Sequence, residues 1–185
     1  MKLTAAILAL ALAPIALAAQ MPAPHNTDHD AAAMPSKPPV PPSHSLTVTF
    51  EGHTTAFKIE DLLALPQVTV HVHNAHRNTD ETYSGPLLAD VLARAGLVAS
   101  RETEPLILHS SVIATGTDHY FVLYSAAEVE PMFSRSQVIV AVMKSGLPDT
   151  EGGMIQLINT DGAKPARWVH GLTDLNVMSI SPTAH

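Results

Sequence analysis

The sequence predicts an α+β fold with a mixed or antiparallel, strand-rich sheet and short helices. Three observations carry that expectation. Apolar and polar residues alternate with period two in separate stretches, as at Leu46, Val48 and Phe50 and at Val68, Val70 and Val72. The helical stretches are short and are stopped by proline or glycine, at Pro66, Gly96 and Pro131. No regular strand–helix–strand repeat runs along the chain, which argues against a doubly wound parallel sheet.

The elements follow in order. Lys2 and the apolar run over residues 3–17 form a leader, and Ala16-Leu17-Ala18 fits a small-x-small cleavage pattern. Cleavage is expected after Ala18, with Ala19 as the alternative. The run is shorter than the ~20 residues of a membrane-spanning helix. It is preceded by no Arg-Arg pair and followed by no lipid-bearing cysteine. The expected destination is the periplasm, by the general, unfolded-chain export route. Residues 19–43, rich in Pro, Ala and His, read as a disordered linker, and Pro38-Pro39 and Pro41-Pro42 favour an extended backbone. The folded module is expected over residues 44–185.

Within it, residues 46–50 alternate as a half-buried strand, Glu51-Gly52-His53 turns, and residues 54–59 return. A short helix over 60–65 stops at Pro66, and the alternating valines make a third strand. Residues 74–82 read as a polar loop. Pro86 then suits the first turn of a helix whose Leu88, Val91, Leu92 and Ala95 share one face, closed by Gly96. Residues 105–114 and 120–124 read as strands. Ser125-Ala126-Ala127-Glu128 is a capping box for a helix cut short before Pro131. Residues 138–142 form a continuous apolar run, a strand buried on both faces. Residues 145–153 are a loop, and 154–158 and 168–180 supply the last strands.

Composition excludes several functions. The 185 residues contain no cysteine, so disulfides, thiolate metal sites and thiol nucleophiles are all absent. The formal charge is −7; without Lys2, 17 acidic side chains face 9 basic ones. That balance argues against nucleic acid and, after leader cleavage, against a membrane surface as partners. There is no G-x-S-x-G elbow, no phosphate loop and no G-x-G-x-x-G.

Several segments, taken in order, carry a resemblance. They are Asp61-Leu62-Leu63-Ala64-Leu65-Pro66, Tyr83-Ser84-Gly85-Pro86-Leu87-Leu88, Thr117-Asp118-His119-Tyr120, Gly152-Gly153 and Pro165-Ala166-Arg167-Trp168-Val169. Together they resemble the oxidoreductase molybdopterin-binding domain, of sulfite-oxidase-like fold. The nearest likeness is to small, exported, stand-alone members, here without the cysteine ligand. The resemblance implies a molybdopterin cofactor. It also places the family's metal-binding cysteine near His73 or Asn74, and a glycine where His119 stands.

Two clusters are candidate sites. In His71-x-His73-x-x-His76, residues two apart on a strand share a face, and three imidazoles with an open position suit zinc or copper. Asp80 or Glu81 could join them. The alternative is a solvent-facing strand surface. Arg167, Trp168 and His170 form the second cluster. Arg167 with Lys164 could hold a small anion, or Trp168 could anchor the core while Arg167 pairs with a carboxylate. Tyr83, Gly85 and His119 complete the ligand-binding candidates. The expectation is a periplasmic binding module for a small anion or a redox or envelope protein. The alternatives are a zinc or copper protein and a molybdopterin-dependent oxidoreductase.

Overall fold

A computed structural model describes residues 40–161 and 165–180. The expected leader, residues 19–39 of the expected linker, and Lys164 lie outside the described residues. The elements, in chain order, are β1 (Ser45–Phe50), β2 (His53–Lys58), α1 (Ile59–Leu63), β3 (Val68–Asn74), β4 (Thr79–Gly85), α2 (Leu88–Arg94), α3 (Glu104–Leu108), β5 (Ser110–Gly116), β6 (Phe121–Ser125), α4 (Ala126–Val129), β7 (Val138–Ala141), β8 (Met143–Lys144), β9 (Gln156–Asn159), a 3-10 turn (Pro165–Arg167) and β10 (Leu172–Ser179). Among the described residues, no helix is long and apolar enough to cross a membrane.

The larger sheet has the order β2-β1-β10-β5-β6, with one parallel pair, β1 with β10. The remaining strands form a second layer. β3 and β4 make a hairpin, β4 pairs with β8, and β7 pairs with β9. The chain just after β4 continues that layer, because Val140 N–H donates to the Pro86 carbonyl and Val142 N–H to the Ser84 carbonyl. The three-stranded and two-stranded sheets thus merge into one hydrogen-bonded surface.

The apolar run at β7 explains how the two layers join. All four of its residues are buried. Val138 and Val140 enter the main core with β1, β5, α2 and β10. Ile139 and Ala141 face the other way, into a smaller core with Val70, Tyr83, Ile158 and Trp168. A strand buried on both faces reads as a near-continuous apolar run, as this one does.

Helix α2 forms as its pattern predicts. Leu88, Ala89, Val91 and Leu92 are buried, and Gly96 leaves the helix at φ +108°. The preceding Gly85 allows β4 to lie against β7: a β-carbon there would sit 2.0 Å from the Val140 carbonyl oxygen.

Four expectations are corrected. Residues 79–85 are strand β4, within and beyond the expected polar loop. Its inward positions are Glu81, Tyr83 and Gly85, so only one of three is apolar and the alternation is masked. Residues 104–108 are helix α3, with Pro105 in its first turn and Ile107 buried, where a strand was expected. Five apolar-rich residues are too few to reveal their period. The last strand starts at Leu172, because Gly171 at φ +57° breaks the extended backbone. The Ser125 side chain makes no cap bond to α4, and Glu128 reaches Arg167 as well as the Ser125 backbone.

Candidate functional site

The hairpin of β3 and β4 sorts its side chains by parity. Cross-strand partners in an antiparallel pair point the same way. On the outward face, Thr69 meets Ser84, His71 meets Thr82, and His73 meets Asp80. Each pair is hydrogen-bonded, at 2.9, 3.0 and 2.8 Å. His71, His73 and His76 are all exposed. His71 and His73 rim a groove with Asn159, Thr160 and Trp168, whereas His76 lines a different one. Among the described residues, no group of three or more His, Asp or Glu is arranged to hold a metal ion. The structure therefore places His71 and His73 on one groove and His76 on another.

The inward side carries a polar cluster. Glu81 is buried at 7% exposure and accepts three donors. Asn74 Nδ2 lies 2.9 Å and Tyr83 Oη 3.0 Å from its Oε2, and Lys144 Nζ lies 2.7 Å from its Oε1. Pairing of Tyr83 with Lys144 between β4 and β8 delivers the ammonium to this spot. Burial pushes the Glu81 carboxyl up. The bonds from Lys144, Asn74 and Tyr83, with the Lys144 charge, outweigh that and hold its pKa below the usual value. Tyr83 moves the other way: burial and then the Glu81 charge push its phenol far above its ordinary range. The Tyr83 ring packs edge-on against Trp168, with centroids 5.9 Å apart. Trp168 Nε1 donates to the Asn159 carbonyl.

This cluster forms one wall of a cleft of about 400 Å³, also lined by Val40, Arg77, Asp149, Glu151, Gly152 and His170. A smaller cavity of about 240 Å³ shares Asn74, Arg77 and His170 and adds His76, Asp118, Tyr120 and Trp168. The far wall is also tied by hydrogen bonds. His170 Nδ1 is 2.6 Å from Gln156 Oε1, Gln156 Nε2 donates to Asp149 Oδ2, and Gly152 N–H donates to Asp149 Oδ1. Gly152 leaves room for this relay, since a β-carbon there would fall 2.3 Å from Gln156 Nε2. Asn74 Oδ1 accepts the N–H groups of His76 and Arg77, which sets the turn that carries Arg77 to the rim.

The other candidates from the sequence divide. Tyr83 and His170 line the main cleft, and Trp168 and His170 the smaller one. Gly85 is buried and serves strand packing. Arg167 is not available for an anion: its guanidinium forms a two-point ion pair with Glu128 and lies over the Tyr124 ring, 4.3 Å from its centroid. The Arg167 bond holds the Glu128 pKa below the usual range, against the effect of burial, and Glu128 in turn raises that of Arg167. His119 is exposed at φ +62°. That left-handed backbone favours glycine over a residue that carries a β-carbon. Its neighbours Asp118 and Tyr120, and not His119, line the smaller cavity.

Sequence reasoning missed Arg77, Lys144, Asp149 and Gln156, met Asn74 only as a position for the family's cysteine, and weighed Glu81 only as part of a metal site. The available signal was parity: Glu81 and Tyr83 sit two apart, so a strand there puts both on one face.

No protein-family model and no curated protein matches the chain. Its fold does have a solved likeness, the sulfane dehydrogenase SoxCD from Paracoccus pantotrophus, at a TM-score of 0.55 and 18% identity. The match covers 72% of this chain and 38% of that chain, so this chain spans well under half of that length. What is shared is the fold: a strand-rich α+β, sulfite-oxidase-like arrangement with short helices.

The resemblance implies molybdopterin, and the cleft residues test that. Of His73 and Asn74, only Asn74 faces the cleft, and its carboxamide is occupied at both ends. An amide does not replace a soft, anionic thiolate as a metal ligand. For an anionic group the cleft holds Arg77 and Lys144 beside Glu81, Asp149 and Glu151, so the mismatch lies at the metal ligand. The described residues do not fit the group.

Proposed function

We propose that this is an exported, cofactor-free binding module on a sulfite-oxidase-like scaffold, whose ligand is a small anion held at Arg77. One observation carries the reading. Two carboxylates in the cleft are answered internally: Glu81 by Lys144, Asn74 and Tyr83, and Asp149 by Gln156 and the Gly152 N–H. Arg77, by contrast, reaches Glu151 only at 3.8 Å, with both side chains more than half exposed. Such a pair contributes little and exchanges readily for a ligand that satisfies the guanidinium at two points. His170, held by Gln156, stands on the opposite wall. The fixed walls reduce the ordering cost of binding.

The experiment is isothermal titration with sulfate, thiosulfate, phosphate and acetate at constant ionic strength. The expected result is binding of at least one anion, weakened roughly tenfold or more in Arg77→Ala. Equal affinity in wild type and Arg77→Ala removes Arg77 from the site. Export is tested separately, by the mass of the protein recovered from the periplasm, expected to lack residues 1–18.

A further inference from the structure

The outward face of the larger sheet changes character from one side to the other. Strand register places Thr47, Thr49, Thr54, Asp174 and Asn176 on this face at β1, β2 and β10. At β5 and β6 the same face carries Ile113, Phe121 and Leu123, with Met178 opposite Ser111. Leu108 and Ile180 extend it, and Leu108, Leu123 and Ile180 border one groove. Ile180 is fixed there by its N–H bond to the His109 carbonyl. Phe121 is 64% exposed, Leu123 58% and Ile180 70%. Among the described residues, β6 ends the sheet.

We propose that this corner is the contact between two copies of the chain, packed face to face about a two-fold axis near Leu123. Two arguments select a second copy. The first is charge. The chain has a net charge of −7, so two copies repel, yet Phe121, Leu123, Ile113, Met178 and the intervening Ser111 and Ser125 are all uncharged. An acidic molecule can meet itself across this patch without opposing like charges. The second is area. The patch exposes on the order of 500 Å² of apolar side chain per copy, most of the ~800 Å² each partner gives a stable interface. It is also at the upper end of what an unpartnered monomer carries. A two-fold axis makes the interface self-complementary, with Leu123 against Leu123 and Phe121 packing toward the Leu108–Ile180 groove.

The test is sedimentation equilibrium on the purified protein over a wide concentration range, with Leu123→Glu and Thr47→Glu. Leu123 is already exposed, so Leu123→Glu leaves the monomer folded. The expected results are a dimer for wild type and Thr47→Glu, and a dissociation constant raised roughly 30-fold or more in Leu123→Glu. A dimer unaffected by Leu123→Glu places the contact elsewhere and overturns the proposal. A wild type that stays monomeric while Leu123→Glu lowers its melting temperature assigns the patch to another segment of the chain, and also overturns it. Anion binding at Arg77 is read by a different measurement and stands or falls separately.

Discussion

The two faces of the β3–β4 hairpin use similar residue types to opposite ends. Outward, His73 and Asp80 make a 2.8 Å bond with side chains 55% and 92% exposed. Inward, Lys144 and Glu81 make a 2.7 Å bond with side chains 25% and 6% exposed. The distances are nearly equal, and the surroundings are not. Water screens the outward pair, so its formation and loss are almost neutral. The inward carboxylate has given up its water and depends on its three protein donors. The difference teaches that the conspicuous pair of His71 and His73 and the organised polar site lie on opposite sides of the same two strands, while His76 stands in the turn beyond them.

The largest expected effect is at the inward pair. Lys144→Ala leaves Glu81 buried without its counter-charge and should cost about 3 kcal/mol, read by urea unfolding. A cost below about 1 kcal/mol would show that Glu81 is solvated and would erase the contrast.

The second effect is on pH dependence. Glu81 and Glu128 both have folded-state pKa values lowered from 4.5. A lowered folded pKa stabilises above the unfolded value and loses that stabilisation as pH falls through the folded value. Stability should therefore be full above about pH 5 and decline progressively below 4.5. Glu81→Gln should flatten part of that decline, and an unchanged slope would remove Glu81 from the linkage.

The smallest effect is outward. His71→Ala and His73→Ala should each change stability by no more than ~0.5 kcal/mol. Chelator should leave the melting temperature of the wild type in place. A chelator-dependent fall, abolished by either substitution, would restore the histidines as a metal site.

These contrasts also mark what the sequence revealed. Alternation at Leu46, Val48 and Phe50, the stripe on α2 and the apolar run at β7 each impose their own local structure, and each was legible. Strand β4 was not, because its inward positions hold a carboxylate, a phenol and a glycine, and the carboxylate and glycine are explained in part by the Lys144 ammonium and the Val140 carbonyl. Those partners lie more than fifty residues away. The cleft was hidden for the same reason. Asn74, Arg77 and Asp149 are ordinary loop and strand-end residues until the fold gathers them. His170 and Tyr83 were singled out from the sequence, His170 by its cluster with Arg167 and Trp168 and Tyr83 by its place before α2, whereas Arg167 was claimed by Glu128 from α4, a pairing that its position in sequence does not announce.

The most direct test of the account is a backbone amide shift map of the protein titrated with thiosulfate or sulfate, alongside Arg77→Ala. The account expects saturable shifts at Arg77, Gly152 and His170, little change at His71, His73 and Thr82, and loss of the response in Arg77→Ala. Shifts centred on His71, His73 and Thr82, with Arg77 silent, would contradict it and move the site to the outward face.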